Sequence, residues 1–134
     1  MNIKKWVLSG IAVFVVTFVL DFLFHGVLLK GLYEQTVLIW RSDANRLMWL
    51  MTMTQLIFGF VLAWFYTLGY EPKKEGLSQG IRFGIYTGIL LVAAQGFVWY
   101  VVLPVPFILN LGWLASTFID TVAGGAVIGL IYRK

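Results

Sequence analysis

Apolar residues run along this chain in long unbroken stretches, not in the alternation of a half-buried strand or the one-sided stripe of a soluble helix. A helix needs about 20 such residues to cross the hydrocarbon core of a bilayer. The first stretch, Trp6 to Leu29, is bracketed by Lys4-Lys5 and Lys30, and the second lies in the 24 uncharged residues between Arg46 and Glu71. A third, Phe83 to Ile119, has 37 residues, too many for one crossing. Pro104 and Pro106 divide it where a helix has to stop. The pattern predicts an all-α integral membrane protein, a four-transmembrane-helix bundle with spans at 6–29, 47–68, 80–103 and 109–132 in one domain, 1–134.

The connections differ in kind. Gly69 to Gly76 is a polar turn with Gly and Pro punctuation, and Ser78 is the expected cap of the helix that follows. Pro104-Val105-Pro106-Phe107 is short and apolar, making a tight hairpin of spans 3 and 4. Between Lys30 and Arg46, the residues Tyr33, Val37 and Trp40 recur at helical spacing. That segment reads either as an interfacial amphipathic helix over 31–41 or as an ordered loop covering the mouth of the bundle.

Composition sharpens this picture. The chain is 60% hydrophobic and 12% charged, against about 25% charged in soluble domains. A net charge of +4 reads as topology signal and lipid contact, not nucleic-acid binding, because the basic residues flank apolar runs. Lys4, Lys5, Lys73, Lys74, Arg82, Arg133 and Lys134 fall on one side and Lys30, Arg41 and Arg46 on the other, which predicts both termini inside. Trp6, Trp64, Tyr66, Tyr70 and Tyr132 are then expected at the inner interface, and Trp49, Trp99, Tyr100 and Trp113 at the outer one. The first run is too long for a signal peptide and no small-x-small cleavage site follows it, so it reads as an uncleaved span. With no cysteine, disulfides and thiolate metal sites are excluded.

Against this background the polar residues inside the spans stand out. Asp21 and His25 are four apart, on one helix face next to Thr17. Counting about 1.5 Å per residue, Asp21, Gln55, Gln95 and Asp120 all fall between the midplane and the outer interface, with His25 further out. An unpaired charge at such depth costs about 2.5–3.5 kcal/mol on insertion scales, so these groups are expected to face one another. Gly80, Gly84 and Gly88, with Gly125 and Gly129, repeat every fourth residue in the opposite half, a spacing that lets helix backbones approach closely. The expectation is a bundle closed on the inner side and open on the outer, with a polar pocket in its outer half.

What that pocket does is left open between several readings. Asp21 and His25 read as a proton relay, a metal half-site, a general acid/base pair or a satisfied interhelical network. Asp120 reads as a coupling carboxylate of transport or a buried acid bonded to Gln95, Thr121 or Ser116, and Gln55 and Gln95 as interhelical hydrogen-bond glue. One histidine and no cysteine leave too few ligands for a transition-metal site within one chain, and no haem motif is present, so neither metal nor cofactor is expected. No hydrolase or nucleotide-binding motif occurs, which points away from an enzyme.

One further pattern involves Glu75-Gly76-Leu77-Ser78-Gln79-Gly80, Gly84, Pro104, Asp120 and Gly125-Ala126-Val127-Ile128-Gly129. In these residues the chain, over 47–134, resembles a family of small four-span bacterial membrane proteins of unknown function. The resemblance implies the four-span fold and a bacterial inner membrane, and no activity. The expected function is a small non-enzymatic membrane protein, free-standing or an accessory subunit, whose pocket binds a partner helix, a lipid or a small ligand. The alternatives are a proton-coupled transporter or exporter using Asp21 and Asp120, and a membrane enzyme on lipid-like substrates. Expected partners are membrane lipids and either further copies of the chain or a larger membrane complex.

Overall fold

The structure is a computed structural model describing residues 2–133; Lys134, counted above among the inner basic residues, lies outside them. Among the described residues the regular structure is all helix, with no strand. Helix α1 (Ile3–Asp21) continues into a π-helical turn, Phe22–Leu28, followed by a short α2 (Lys30–Gln35) and two 3-10 turns, Val37–Ile39 and Asp43–Asn45. Then come α3 (Met48–Leu68), α4 (Gly76–Gln95), α5 (Val98–Val102) and α6 (Phe107–Tyr132). Four helical segments are long and apolar enough to cross a membrane: Ile3–Leu28, Met48–Leu68, Gly76–Val102 and Phe107–Tyr132. They match the four predicted spans with two displaced starts. The first begins at Ile3, where the Asn2 side chain accepts from the Lys5 amide at 3.0 Å. The third begins at Gly76 because Glu75, not Ser78, is the cap: its carboxylate accepts from the amides of Leu77 (2.9 Å) and Ser78 (2.5 Å).

Helix α6 is the centre of the bundle, packing on α4 along one side and on α1 along the other, while α1 also packs on α3. The α4–α6 contact is made backbone to backbone near the chain termini. A Cβ on Gly80 or Gly125 would collide with the other's carbonyl oxygen, one on Gly129 with that of Gly76, and one on Gly84 with that of Thr121. Gly88 meets the Thr121 and Phe118 side chains. The five predicted packing glycines thus lie on one intramolecular seam, extended by Gly76. Gly59 of α3 packs equally closely on the Gly10 carbonyl of α1, a contact that two isolated glycines do not advertise in the sequence.

Below the middle of the bundle, on the termini side, Val13, Leu62, Ala63 and Ile128 form a fully buried apolar layer. Beneath it Tyr66, Tyr70, Tyr132 and Phe83 stack edge to face, with neighbouring ring centroids 5.3–5.7 Å apart. Tyr66 and Tyr132, expected as anchors at the inner interface, are buried here at 3% and 4% exposure. Lys5 Nζ donates to the Arg133 carbonyl at 3.0 Å and Tyr70 to that of Tyr132 at 2.7 Å, satisfying the C-terminus of α6.

At the far end the segment after α1 folds back over the bundle. Leu29, Val105 and Leu109 form a second buried cluster with Leu32, Tyr33, Ile39, Trp40, Leu103 and Trp113 packed against it. Of the two readings of 31–41, this is the covering segment: Tyr33 and Trp40 turn inward, whereas Val37 and Leu38 are exposed. Helix α4 breaks at Gly96, whose φ of 44° is open only to glycine at low cost. The buried Asn110 side chain donates to the Gly96 carbonyl at 3.3 Å and holds the break.

Candidate functional site

Above the apolar layer the four long helices enclose a cleft of about 560 Å³. Each contributes one turn-spaced set of residues, because helix positions three or four apart share a face. From α1 and its π turn come Thr17, Asp21 and His25; from α3, Thr54, Gln55 and Phe58; from α4 and α5, Leu91, Gln95 and Trp99; from α6, Trp113, Ser116, Thr117 and Asp120. Asp21, His25, Gln55, Gln95 and Asp120 thus line one space.

The polar groups form a chain of contacts. Gln55 Nε2 donates to Asp21 Oδ2, and Ser116 Oγ lies 3.3 Å from Asp21 Oδ1 and 3.3 Å from Asp120 Oδ2. Ser116 has one hydroxyl proton. It donates to one carboxylate only, so both contacts are hydrogen bonds when the other carboxyl carries its own proton. With a proton placed in that way, the serine bridge joins the two acids without setting two like charges side by side in a poorly hydrated site.

On the other side of Asp21, His25 Nε2 stands 3.6 Å from Oδ1, and His25 Nδ1 lies 2.7 Å from the Tyr33 hydroxyl. Trp113 Nε1 donates to the same hydroxyl at 2.7 Å. Since an indole only donates, Tyr33 accepts from Trp113 and is free to donate to Nδ1. That arrangement leaves the imidazole proton on Nε2, facing Asp21. Burial pushes the Tyr33 phenol above its ordinary range; the Trp113 hydrogen bond opposes that shift and the Asp21 charge adds to it. Trp40 is held beside them by a 2.9 Å bond from its indole to Thr36 Oγ1, and its ring meets those of Tyr33 and Trp113 edge-on at 5.5 and 6.1 Å.

Of the residues lining the cleft, two carry a buried acceptor to which no described residue donates: Asp120 Oδ1 and Gln55 Oε1. Asp120 is only 8% exposed. A buried unsatisfied polar atom costs about 1–3 kcal/mol, so Asp120 and Gln55 favour a donor that reaches them from the cleft. Gln95 lines the wall but bonds Thr117 Oγ1 at 3.1 Å and takes no part in the acid network. Thr121, an expected Asp120 partner, instead donates to its own helix, at 3.1 and 2.8 Å.

Ser116, Tyr33, Trp113 and Trp40 complete the site. Ser116 sits four residues before Asp120 and Trp113 three before Ser116, the same one-face spacing that singled out Asp21 and His25. That signal was present in the sequence. The role of Tyr33 and Trp40 was not, since it depends on the covering segment turning inward.

The cleft is asymmetric. Val13 and Leu62 close over Gly124 beneath it, Trp40, Trp99 and Trp113 ring its far end, and it is open between α3 and α4. Those two helices line facing walls, yet they are not among the extensively packed pairs; they meet near the termini end, where the rings of Tyr66 and Phe83 lie 5.4 Å apart.

Comparison with protein-family models, curated proteins and solved structures finds no match in any of the three.

Proposed function

We propose that the chain is an integral membrane protein of a bacterial inner membrane, with both termini inside, and that its cleft binds a small amphiphilic ligand in the outer half of the bilayer without chemically transforming it. The observation that carries this reading is Asp120: a buried carboxyl lining a one-sided cleft, with Oδ1 lacking a donor. Membrane insertion is supported by outward apolar side chains such as Phe22, Leu90 and Val101, exposed by 65%, 67% and 81%, a surface that soluble monomers do not present. The inside-outside assignment rests on the basic residues around the termini and Lys73-Lys74.

The test is native mass spectrometry of the gently extracted full-length chain. A bound small molecule or lipid is expected on the wild type and absent from Asp120→Asn. A wild type that carries neither, and instead co-purifies only with a protein subunit, overturns the ligand reading in favour of an accessory role.

A second reading, proton-coupled transport, is favoured by the continuous contacts from Tyr33 through His25, Asp21 and Ser116 to Asp120. It requires the Val13, Leu62 and Ile128 layer to part. Substrate flux into proteoliposomes that follows an imposed pH gradient and is abolished by Asp120→Asn decides for transport over simple binding.

A further inference from the structure

The chemistry of the cleft selects among amphiphiles. Its titratable lining groups are Asp21, His25 and Asp120, with Tyr33 behind His25; α3, α4 and α5 bring only Thr54, Gln55, Phe58, Leu91, Gln95 and Trp99, and no lysine or arginine lines the space. The serine-bridged acids make it a site for a positive group. The unpartnered atoms of its lining residues, Asp120 Oδ1 and Gln55 Oε1, are both acceptors buried just behind the cleft surface, so a group that reaches them has to donate N–H bonds. Three indoles, Trp40, Trp99 and Trp113, stand in the walls, and indole faces attract cations. The opening between α3 and α4 lies in the apolar belt of the bundle, where outward side chains such as Leu50, Ile57, Ile89 and Leu90 are exposed. A tail attached to the bound group has a sideways exit among apolar side chains.

Resting on the reading of the cleft as a ligand site, we infer that its ligand is a protonated primary amine carrying an alkyl chain, with the ammonium at Asp120, Asp21 and Gln55 and the chain leaving between α3 and α4. A quaternary ammonium carries the same charge but no N–H, and leaves both acceptors unpaired. An alcohol donates without charge. A carboxylate meets the acids with like charge.

The experiment compares octylammonium, octyltrimethylammonium, octanol and octanoate for binding to the detergent-solubilised full-length protein by calorimetry, with thermal unfolding as a second readout. Octylammonium is expected to bind at least about tenfold tighter than the quaternary ion or the alcohol, as charge-assisted hydrogen bonds exceed neutral ones, and octanoate is expected not to bind. Asp120→Asn is expected to bring octylammonium down to the level of octanol. Should that variant fail to fold, the ranking of the four probes on the wild type still decides. Octyltrimethylammonium binding as tightly as octylammonium, or octanol or octanoate binding as well as either, overturns the primary-amine assignment while leaving the ligand site standing. No heat and no thermal shift from any of the four overturns both.

Discussion

At the residue scale the tightest constraint falls on Tyr33, which takes the Trp113 indole proton and serves His25 Nδ1. Tyr33→Phe removes the acceptor of one and the partner of the other, and is expected to cost about 1–3 kcal/mol, the penalty for stranding a partly buried donor. Denaturant unfolding in mixed micelles measures it. The raised phenol also predicts a pH dependence. A neutral acid whose folded value exceeds its ordinary value of 10.0 contributes stability that is complete below pH 10 and fades as pH rises through the folded value. Wild type is therefore expected to lose stability in that alkaline range more steeply than Tyr33→Phe; equal slopes would remove the argument.

Between elements, the governing contact is the α4–α6 seam. Gly125→Leu forces a side chain into the Gly80 carbonyl and Gly84 backbone and is expected to cost about 1–3 kcal/mol or more, in line with overpacking elsewhere. Gly96→Ala is expected to cost a similar amount, about 1–3 kcal/mol, from the φ of 44° alone. The control is Gly31→Ala in α2, where a Cβ meets nothing within 4 Å; a helical glycine replaced by alanine is expected to gain about 0.5–1 kcal/mol. Thermal unfolding of the three variants side by side tests the order. A Gly125→Leu protein as stable as wild type would mean that the seam is not what holds α4.

These elements also show what could be read in advance. The spans, the proline break and the regular glycines were legible because each follows from a local rule applied to consecutive residues: apolar length, a missing amide, a four-residue repeat. The shared depth of Asp21, Gln55, Gln95 and Asp120 followed from counting rise. Partner choice did not. Ser116, not Gln95 or Thr121, bridges the acids because helix rotation about its own axis decides it, and apolar residues on nearly every face leave that rotation unmarked. The π-helical turn at Phe22–Leu28 and the break at Gly96 were invisible for a related reason: both settle a contact between elements, and neither changes the hydrophobic pattern.

For the whole molecule, the open question of orientation has a direct measurement, helped by the absence of cysteine. Lys73→Cys is expected to react with a membrane-impermeant maleimide only in inverted vesicles. Leu38→Cys, 98% exposed on the far-end segment, is expected to react only in right-side-out ones, and the opposite pattern inverts the topology. In the cleft, Gln95→Cys is expected to be labelled from the Leu38 side alone, since the Val13, Leu62 and Ile128 layer seals the other. Labelling of Gln95→Cys from both sides would show a through-path and favour transport.

The glycine seam has a mechanical side as well. Helix α4 is gripped from Gly76 to Gly88 and pinned to α6 again at its far end, where Gln95 accepts from Thr117 and Asn110 holds the Gly96 carbonyl. It is a beam fixed at both ends, so the wall it lends to the cleft keeps its place. Any change in the aperture then falls to α3, whose one extensive partner is α1: whatever lodges in the cleft pushes on the movable jaw and not on the fixed one.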